Sequence, residues 1–308
     1  MGPSGKKRAV HGWLNLDKPS GLSSFQAVGR VQRALLAAKA GHGGTLDPLA
    51  TGVLPVAFGE ATKTTSFVID GTKTYHFGIR WGEARTTDDR EGEITKICAC
   101  RPSEGAIHKT LGSFIGVIKQ IPPRFSAIKV NGRRAYEMAR SNQKFNLEPR
   151  AVKIEKFKLI NLVGPDQASF SVTCGKGTYV RSLARDLANS LGTVGYVDWL
   201  RRTAVGSFIE SNTISLDKIE SLGHIAARSN HLMPIETVLD DIPALFLTVQ
   251  EAQRLKHGQG VSVLPVVSRS DLTGFGDGDT VCAMSEGKLV ALARINDGVI
   301  YPVRVMNL

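Results

Sequence analysis

Apolar and polar positions alternate with a period of two in several short segments, and this pattern predicts β-strands. The clearest segment begins at Thr72, where large apolar residues are separated by polar residues or glycine. Further strands are predicted at 12–17, 152–162 and 169–174, and in the last 64 residues. One face of the strand after Thr72 carries Tyr75, Phe77, Ile79 and Trp81.

Two other segments show helical spacing instead of alternation. The first begins at Ser23 or Ser24, either of which is a good helix cap, and we expect it to end at Gly41. The second follows a turn at 175–178 and has Arg181 in its first turn. Their apolar positions are Phe25, Val28, Val31, Leu35 and Leu36 in the first helix, and Val180, Leu183, Ala184, Leu187 and Leu191 in the second.

The stretch between 41 and 52 fits neither period, because it holds four glycines and a single carboxylate, Asp47. Glycine permits a close approach of another molecule, and Pro48 biases Asp47 away from the helical region. We interpret the stretch as a rigid loop that presents Asp47, the candidate nucleophile. A phosphate-binding loop is excluded because no Lys or Arg lies in the stretch. An ordinary surface turn remains the alternative.

Two residues elsewhere in the chain bear on this choice. Arg181 is in the first turn of a helix, which is an unfavourable position for a cation, so we expect a carboxylate such as Asp47 to be its partner. Tyr75 is expected to face inward on its strand, where it serves either as a core residue or as an active-site residue.

The composition is that of an ordinary globular protein, with 42% hydrophobic and 22% charged residues in 308 residues, enough for about two domains. The formal net charge of +11 is unevenly distributed, since residues 245–308 contain six basic and six acidic residues. The basic excess therefore belongs to the first 244 residues. This asymmetry favours a polyanionic partner over mere solubility.

The basic residues are densest between 121 and 153, a segment that we interpret as an insertion. It carries eight Lys or Arg residues and only two Glu residues, with three aromatic residues among them. Cations interleaved with aromatic side chains are typical of proteins that bind single-stranded or loop RNA. A solvated basic arm is the alternative.

The cysteines and histidines of the chain do not indicate a disulfide framework or a metal site. The four cysteines are too irregularly spaced for a disulfide framework, and Cys98 and Cys100 lack a second ligand pair at zinc spacing. The seven histidines are dispersed, so no metal site is expected. The sequence also lacks a signal peptide and any run of eighteen apolar residues, so we expect a cytoplasmic protein with reduced thiols and no membrane association.

With these motifs the sequence resembles the TruB family of tRNA pseudouridine synthases along almost its whole length. The resemblance is carried by Leu-Asp-Lys-Pro at 16–19, Gly-His-x-Gly-Thr-Leu-Asp-Pro-Leu-Ala-Thr-Gly at 41–52, Lys-x-Tyr at 73–75, Lys-Gly-Thr-Tyr-Val-Arg at 176–181 and Leu-Arg-Arg at 200–202. The basic segment resembles the RNA-clasping thumb of the family. Residues 297–307 resemble the end of its PUA-like domain.

The resemblance implies an α+β fold, with a mixed, mostly antiparallel sheet flanked by helices and a small, mostly β, PUA-like domain. The expected divisions are a basic tail at 1–9, a catalytic domain at 10–244 and the PUA-like domain at 245–308. Asp47 is then catalytic, and Tyr75, Arg181 and Leu200 support it. The expected RNA-binding residues are His42, Lys18, Arg124, Lys129, Arg133, Arg134, Arg140 and Lys144.

Three departures from the family pattern stand out: Gly43 and Phe125, where Thr and Tyr are usual, and Arg85-Thr86, where Thr-Asp is usual. We expect none of them to touch the catalytic residues, although Arg85-Thr86 would alter local RNA contacts.

The implied activity is the isomerisation of uridine 55 in the T-loop of tRNA, by a monomer without cofactor, metal or obligatory protein partner. In this reaction the N-glycosidic bond breaks, the uracil turns and C5 joins the ribose. Two alternatives are a non-catalytic tRNA-binding or folding protein and a guide-RNA-dependent synthase of the H/ACA type. The intact Asp47, Tyr75 and Arg181 argue against the first, and the full basic thumb argues against the second.

Neutralising Arg133, Arg134 and Lys144 together is expected to weaken tRNA binding and to flatten its salt dependence. Each lost phosphate contact lowers the slope of log affinity against log salt by about 0.7 to 0.9. Turnover at saturating tRNA is expected to fall less than affinity. Titrations of both proteins at several salt concentrations measure this, and equal slopes would mean that these cations only face solvent.

Overall fold

The structure, a computed structural model, describes residues 7–141, 143–222, 231–270 and 276–308. Most of the predicted basic tail and the start of the glycine-rich stretch at 274–279 lie outside the described residues. In chain order the strands are β1 Gly12–Lys18, β2 Ala40–His42, β3 Thr51–Phe58, β4 Lys73–Trp81, β5 Glu83–Arg85, β6 Ile94–Ile97, β7 Gly116–Gln120, β8 Lys129–Val130, β9 Arg133–Arg134, β10 Arg150–Leu162, β11 Gln167–Cys174, β12 Gly195–Val205, β13 Phe208–Ile209, β14 Ile214–Ser215, β15 Ala244–Phe246, β16 Val261–Ser262, β17 Thr280–Ser285, β18 Lys288–Asn296 and β19 Val299–Val305.

The α-helices are α1 Ser24–Ala34, α2 Thr65–Asp70, α3 Glu104–Leu111, α4 Ala135–Arg140, α5 Val180–Ser190, α6 Leu216–Ser221, α7 Val249–Lys256 and α8 Val263–Val267. Short 3-10 helices occupy Gly59–Thr64, Gly112–Phe114, Glu210–Asn212 and Ile235–Val238. Among the described residues no helix is both long and apolar enough to cross a membrane.

A ten-stranded sheet forms the centre of the molecule, with the strand order β14-β1-β3-β12-β4-β11-β10-β7 and with β2 and β13 paired to β3 and β12. The pairs β1–β14 and β3–β12 are parallel and the other pairs are antiparallel. This arrangement confirms the predicted α+β fold with a mixed, mostly antiparallel sheet. The strands predicted at 12–17, 72–81, 152–162 and 169–174 are all present in it.

Successive residues of a strand point to opposite faces of the sheet, and in the central strands both sets of positions include apolar residues. The sheet therefore has an apolar surface on each face. In β1, Leu14 and Leu16 pack into a cluster that also contains buried residues of α1, α3, α5 and α6. Trp13, which directly precedes Leu14 and so points to the opposite face, packs there with Leu289 and Met306 from the C-terminal part of the chain. The helices therefore cover one face, and the C-terminal region covers part of the other.

Helix α1 differs from its prediction in two ways. Its cap is confirmed, since Ser23 and Gln26 form a capping box. Phe25, however, is 82% exposed, so it does not belong to the buried stripe. The helix also ends at Ala34 and not at Gly41, because Leu36 adopts a left-handed conformation with φ 52° and the chain then enters β2.

The C-terminal region forms a separate five-stranded sheet in the order β15-β17-β18-β19-β16, and β15–β17 is its parallel pair. The mostly β architecture predicted for this region is therefore confirmed, and the region also contains the short helix α7. This sheet has its own buried cluster. The C-terminal region also contacts the 3-10 helix that follows β3, because the Lys63 ammonium donates to the Val305 carbonyl at 2.6 Å and the Asn307 amide donates to Glu60 at 2.8 Å. The domain boundary at 244/245 stays a prediction.

The basic segment connects two neighbouring strands of the main sheet. The chain leaves β7 at Gln120 and returns in β10 at Arg150, and these two residues are paired. Between them lie the β8–β9 hairpin and α4. The last four residues of the predicted insertion at 121–153 therefore belong to β10.

Candidate active site

The loop that carries Asp47 joins β2 to β3 and is tied to the start of α1. The Leu46 amide donates to Ser24 Oγ at 2.7 Å, and the Ser24 hydroxyl donates to the Leu46 carbonyl at 3.0 Å. On the other side of Asp47, the Gly21 amide donates to the Pro48 carbonyl at 2.8 Å. Both chain neighbours of Asp47 are thus fixed, which supports the rigid loop inferred from the sequence.

Glycine is required where this loop enters β3. Gly52 has φ 98°, and a Cβ atom at that position would lie 2.2 Å from the carbonyl oxygen of Arg202. Any side chain there would push β3 away from β12. The close approach keeps the Asp47 loop against β12.

The Asp47 carboxylate forms a bidentate ion pair with Arg181 of α5. Arg181 Nε donates to Oδ2 at 2.8 Å and Nη2 donates to Oδ1 at 3.2 Å. The side chain of Arg181 is only 4% exposed, whereas that of Asp47 is 34% exposed. The structure therefore confirms Asp47 as the carboxylate partner expected for Arg181. Of the two charged groups in the pair, the Asp47 carboxylate is the one exposed to solvent.

Further groups hold the Arg181 guanidinium in place. It donates to the carbonyl of Thr87 at 2.9 Å and to that of Phe125 at 3.0 Å. Asp89 Oδ2 lies 3.6 Å from Arg181 Nε and is buried. Burial lowers the pKa of Arg181, but the charges of Asp47 and Asp89 outweigh it and the pKa is raised. Arg181 therefore remains a cation.

Sequence reasoning missed Asp89, although an acidic pair at Asp88-Asp89 was visible in the sequence. Asp89 is itself fixed, because the Thr87 hydroxyl donates to its carboxylate at 2.5 Å and the Glu91 amide does so at 3.0 Å. Burial raises the pKa of Asp89. Of the two carboxylates beside Arg181, Asp47 is the one open to a substrate.

Tyr75 and Leu200 lie on two neighbouring strands of the main sheet. Tyr75 lies on β4 opposite Arg202 of β12, and Leu200 of β12 lies opposite Phe77. Tyr75 is partly buried against the main cluster, as predicted, and Leu200 belongs to that cluster. Burial raises the pKa of Tyr75, so its phenol is neutral near pH 7.

Arg202 is the second residue that sequence reasoning missed. Its side chain is 1% exposed, and it donates to the carbonyls of Val53 at 2.8 Å and Gly44 at 3.0 Å. These carbonyls belong to β3 and to the start of the Asp47 loop. The alternation of side chains along a strand could have revealed Arg202, because residues 200 and 202 of β12 lie on the same face of the sheet.

Lys18 does not have the surface location that the predicted RNA-binding role requires. It is 0% exposed, and its ammonium donates to the carbonyls of Pro19 at 2.8 Å, Leu22 at 2.6 Å and Pro48 at 3.3 Å. Three donors are matched by three acceptors, so none is left for RNA. Burial lowers the pKa of Lys18 to about 8. The prediction was wrong, and Lys18 instead secures the residue after Asp47.

His42 ends β2 and begins the loop. It is half-buried, and its buried Nδ1 atom has no hydrogen-bond partner among the described residues. Burial and then the nearby charge of Arg202 lower the pKa of His42, so its imidazole is neutral near pH 7.

All six cations predicted in the basic segment are exposed: Arg124, Lys129, Arg133, Arg134, Arg140 and Lys144. The Arg124 guanidinium lies 5.1 Å from the centroid of the Phe145 ring, which forms a cation–π contact. Both residues line a cavity of about 390 Å³, which Asp88 and Arg185 also line. The segment reaches the ion pair itself through the Phe125 carbonyl.

The three departures from the family pattern now have locations. A side chain larger than glycine at position 43 would meet Val68, since a Cβ atom there would lie 2.3 Å from Val68 Cγ1. Phe125 does contact the Arg181 guanidinium through its carbonyl, so the expectation that it avoids the catalytic residues was wrong. Arg85 binds Glu83 at 2.7 Å and lies over the Tyr196 ring.

Solved structures with this fold define the class of the protein. A chain of the archaeal box H/ACA sRNP Nop10–Cbf5 complex matches with a TM-score of 0.71 and 23% identity, over 96% of this chain and 86% of that chain. A chain of a Cbf5–Nop10–Gar1 complex matches with a TM-score of 0.69 and 26% identity, over 96% and 84%. The fold is that of pseudouridine synthases of this type, as predicted.

Comparison with protein families is more specific. Residues 32–180 match the N-terminal domain of the TruB family pseudouridylate synthases, and residues 181–240 match the tRNA pseudouridylate synthase B C-terminal domain. This chain belongs to the TruB family. Proteins named tRNA pseudouridine synthase B are 54% identical in Rhodospirillum rubrum, over 98% of both chains, and 44% identical in Anaplasma phagocytophilum, over 96% of this chain and 99% of that one.

Replacing Arg181 with Met is expected to lower turnover by about a hundredfold or more, because Asp47 loses its bidentate support and Asp89 is left as a buried, unpaired carboxylate. Replacing it with Lys retains the charge but loses the forked geometry, so an intermediate rate is expected. Single-turnover rates measured at saturating tRNA, with melting temperatures as a control for folding, test this. An unchanged rate in the folded Met variant would remove Arg181 from the site.

Replacing Arg202 with Met is expected to lower both stability and turnover. It removes the side-chain donor of the buried Val53 carbonyl, at about 1 to 3 kcal/mol, and that of the partly buried Gly44 carbonyl, which frees the start of the Asp47 loop. Arg201→Met is the matched control, because Arg201 makes half-exposed ion pairs with Asp17 and Glu210 and should cost about 1 kcal/mol or less per pair. Denaturant titrations and rates of the two variants are compared, and equal losses would contradict the role given to Arg202.

Proposed function

We propose that this protein is a tRNA pseudouridine synthase that isomerises uridine 55 in the T-loop of tRNA. The observation that carries the proposal is the partly exposed Asp47 carboxylate, which the buried Arg181 holds. Arg181 also contacts the exposed basic segment, through the carbonyl of Phe125. Membership of the TruB family supports it. The names of the relatives support tRNA as the substrate.

The reaction rearranges one nucleotide without net oxidation or reduction. The bond from the ribose C1′ to N1 of uracil breaks, the base turns, and C1′ bonds to C5. The proton on C5 leaves and N1 gains one, so atoms and charge balance without an electron acceptor. The protein must therefore supply a reactive group beside the sugar, hold the detached base and move a proton.

Asp47 is the group that we place beside the sugar and base. Its bidentate contact with Arg181 orients both oxygens, and its exposed side is the one that a nucleotide can reach. Three steps are open to an oriented carboxylate here: attack on C1′, addition to the base, or removal of a sugar proton. Each of them requires Asp47.

Tyr75 and Leu200 are proposed to form the walls that hold the uracil. Both lie on adjoining strands beside the Asp47 loop, so an entering base meets an aromatic ring and an aliphatic side chain. Because the Tyr75 phenol is neutral, we assign it to stacking and to relaying the C5 proton, and not to acting as a phenolate. Stacking contributes about 1 to 3 kcal/mol per base.

The target base must leave its stack, which costs a few kcal/mol. We propose that His42 occupies the vacated place. Its imidazole is neutral, so it enters between bases without the cost of burying a charge. The exposed cations of the basic segment are proposed to contact the phosphates of the T-arm, which recognises the loop largely by shape.

We also propose that the protein acts alone, as a cytoplasmic monomer with RNA-binding surfaces of its own at 121–149 and 245–308. The competing possibility is a guide-RNA-dependent synthase with protein partners, because the related chains of known structure lie in complexes with Nop10 and Gar1. Incubating purified protein with unmodified tRNA separates the two. Pseudouridine at position 55 without any added RNA or protein supports the proposal, and a strict requirement for a guide overturns it.

Replacing Asp47 with Asn is expected to abolish pseudouridine formation, lowering the rate by at least about a thousandfold, while tRNA affinity changes little. The amide keeps the shape but loses the charge and nucleophilicity. Asp217→Asn makes the same change at an exposed site on α6 and should retain full activity. Both variants are tested by mapping pseudouridine in tRNA and by tRNA-binding titrations on the same samples. Product formed by the Asp47→Asn variant would contradict the catalytic role of Asp47.

A further inference from the structure

The first turn of α5 contacts the start of the basic segment as well as the loop that carries Asp47. The Ser182 hydroxyl donates to the Ile121 carbonyl at 2.8 Å, and the Arg181 guanidinium donates to the Phe125 carbonyl at 3.0 Å. Arg181 also forms the ion pair with Asp47. One turn of helix therefore contacts both the Asp47 carboxylate and the point where the basic segment leaves the sheet.

Gln120, the last residue of β7, connects this turn to the main sheet. The Tyr179 N–H donates to Gln120 Oε1 at 2.9 Å, and Gln120 Nε2 donates to the Tyr179 carbonyl at 3.2 Å. Gln120 is 1% exposed, so water does not compete for these bonds. Because one carboxamide engages both backbone groups of one residue, it fixes the position of Tyr179 and the orientation of its peptide groups.

Tyr179 is the N-cap residue of α5, and its side chain makes no capping hydrogen bond. In α1 the corresponding N–H, that of Ser23, donates to Gln26 of the same helix at 2.9 Å, which completes a capping box. In α5 the acceptor for this N–H lies at the same distance but on a strand 59 residues away. The start of α5 is therefore fixed by the main sheet and not by a capping residue of the helix itself.

We propose that Gln120 is a positioning residue for pseudouridine formation. Its carboxamide sets the start of α5, and Arg181 is the second residue of that helix. A shift of the helix start would displace the guanidinium from Asp47, to which it donates at 2.8 and 3.2 Å. A misplacement of about 1 Å at a catalytic group can cost about a hundredfold in rate. The inference rests on the function proposed above for Asp47.

The loss of this carboxamide should affect turnover more than tRNA affinity. The backbone pairing of β7 with β10 does not depend on the Gln120 side chain, and the Ser182 bond to Ile121 also remains. The exposed cations of the basic segment therefore keep their positions. This effect is the opposite of the one expected for neutralising cations of that segment, which weakens affinity more than turnover.

Gln120→Met keeps the length of the side chain and removes both hydrogen bonds. Its single-turnover rate at saturating tRNA is expected to fall about tenfold or more, while its Kd for tRNA rises less than about threefold. Asn15→Leu is the matched control, because Asn15 is 2% exposed and donates to the Ile209 carbonyl at 2.8 Å, between β1 and β13. Its rate should stay within about twofold of the native rate, although it too loses a buried side-chain hydrogen bond. Equal rate losses in the two variants would overturn the proposal.

Gln120→Asn is a milder variant that keeps the test decisive if melting temperatures show that Gln120→Met does not fold. It retains the amide, but its side chain is shorter and cannot span both Tyr179 groups. A fall of about threefold or more in its rate is expected. A native rate in either folded variant would contradict the role given to Gln120.

Hydrogen exchange followed by mass spectrometry tests the position of the helix start without any substrate. The peptide that contains residues 179–182 should exchange at least about tenfold faster in Gln120→Met and at the native rate in Asn15→Leu. Native exchange in Gln120→Met would overturn the proposal. Faster exchange in that variant, with no pseudouridine formed by the native protein, would count against the proposed function alone.

Discussion

The ion pair between Arg181 and Asp47 is the interaction on which the site depends. A guanidinium as deeply buried as this one requires compensation, and removing one partner of a buried pair costs about 3 to 5 kcal/mol. Asp47 and Asp89 provide the charge, and the carbonyls of Thr87 and Phe125 satisfy further N–H groups. Three separate segments, those of Asp47, of Thr87 and Asp89, and of Phe125, thus meet at one side chain of α5, so the site exists only when all three are in place.

The sheet determines where those segments meet. β12 lies between β3 and β4, so it borders the end of the Asp47 loop on one side and Tyr75 on the other. Arg202 uses this position to bind carbonyls of β3 and of the loop. Gly52 allows the two strands to come this close. The strand order, more than any local motif, therefore brings the predicted site residues together.

The cations of the chain serve two physical purposes, and burial separates them. Lys18, Arg181 and Arg202 are buried and donate to backbone carbonyls, and Arg181 also donates to a carboxylate, which shapes the loop. The cations of the basic segment are exposed, where they retain their long-range field. A buried cation must find protein partners, whereas a solvated one remains free to bind phosphate. The phosphate contacts proposed for the basic segment therefore come from exposed cations.

The sequence by itself determined the elements whose pattern is local. Period-two alternation located β1, β4, β10 and β11, helical spacing located α5, and serine placement located the start of α1. The motifs together identified the family and named Asp47 and Arg181 as partners.

Only the tertiary structure decided which charged residues are buried. Asp47 and Arg181 lie 134 residues apart, and Arg202 and Gly44 lie 158 apart, so their contacts follow from strand order and not from neighbouring residues. For the same reason the sequence placed Lys18 on the RNA surface and Phe25 in the core, and it overlooked Asp89 and Arg202. Local periodicity indicates which face of an element a side chain occupies, but the energy of a buried charge depends on groups that distant segments bring to it.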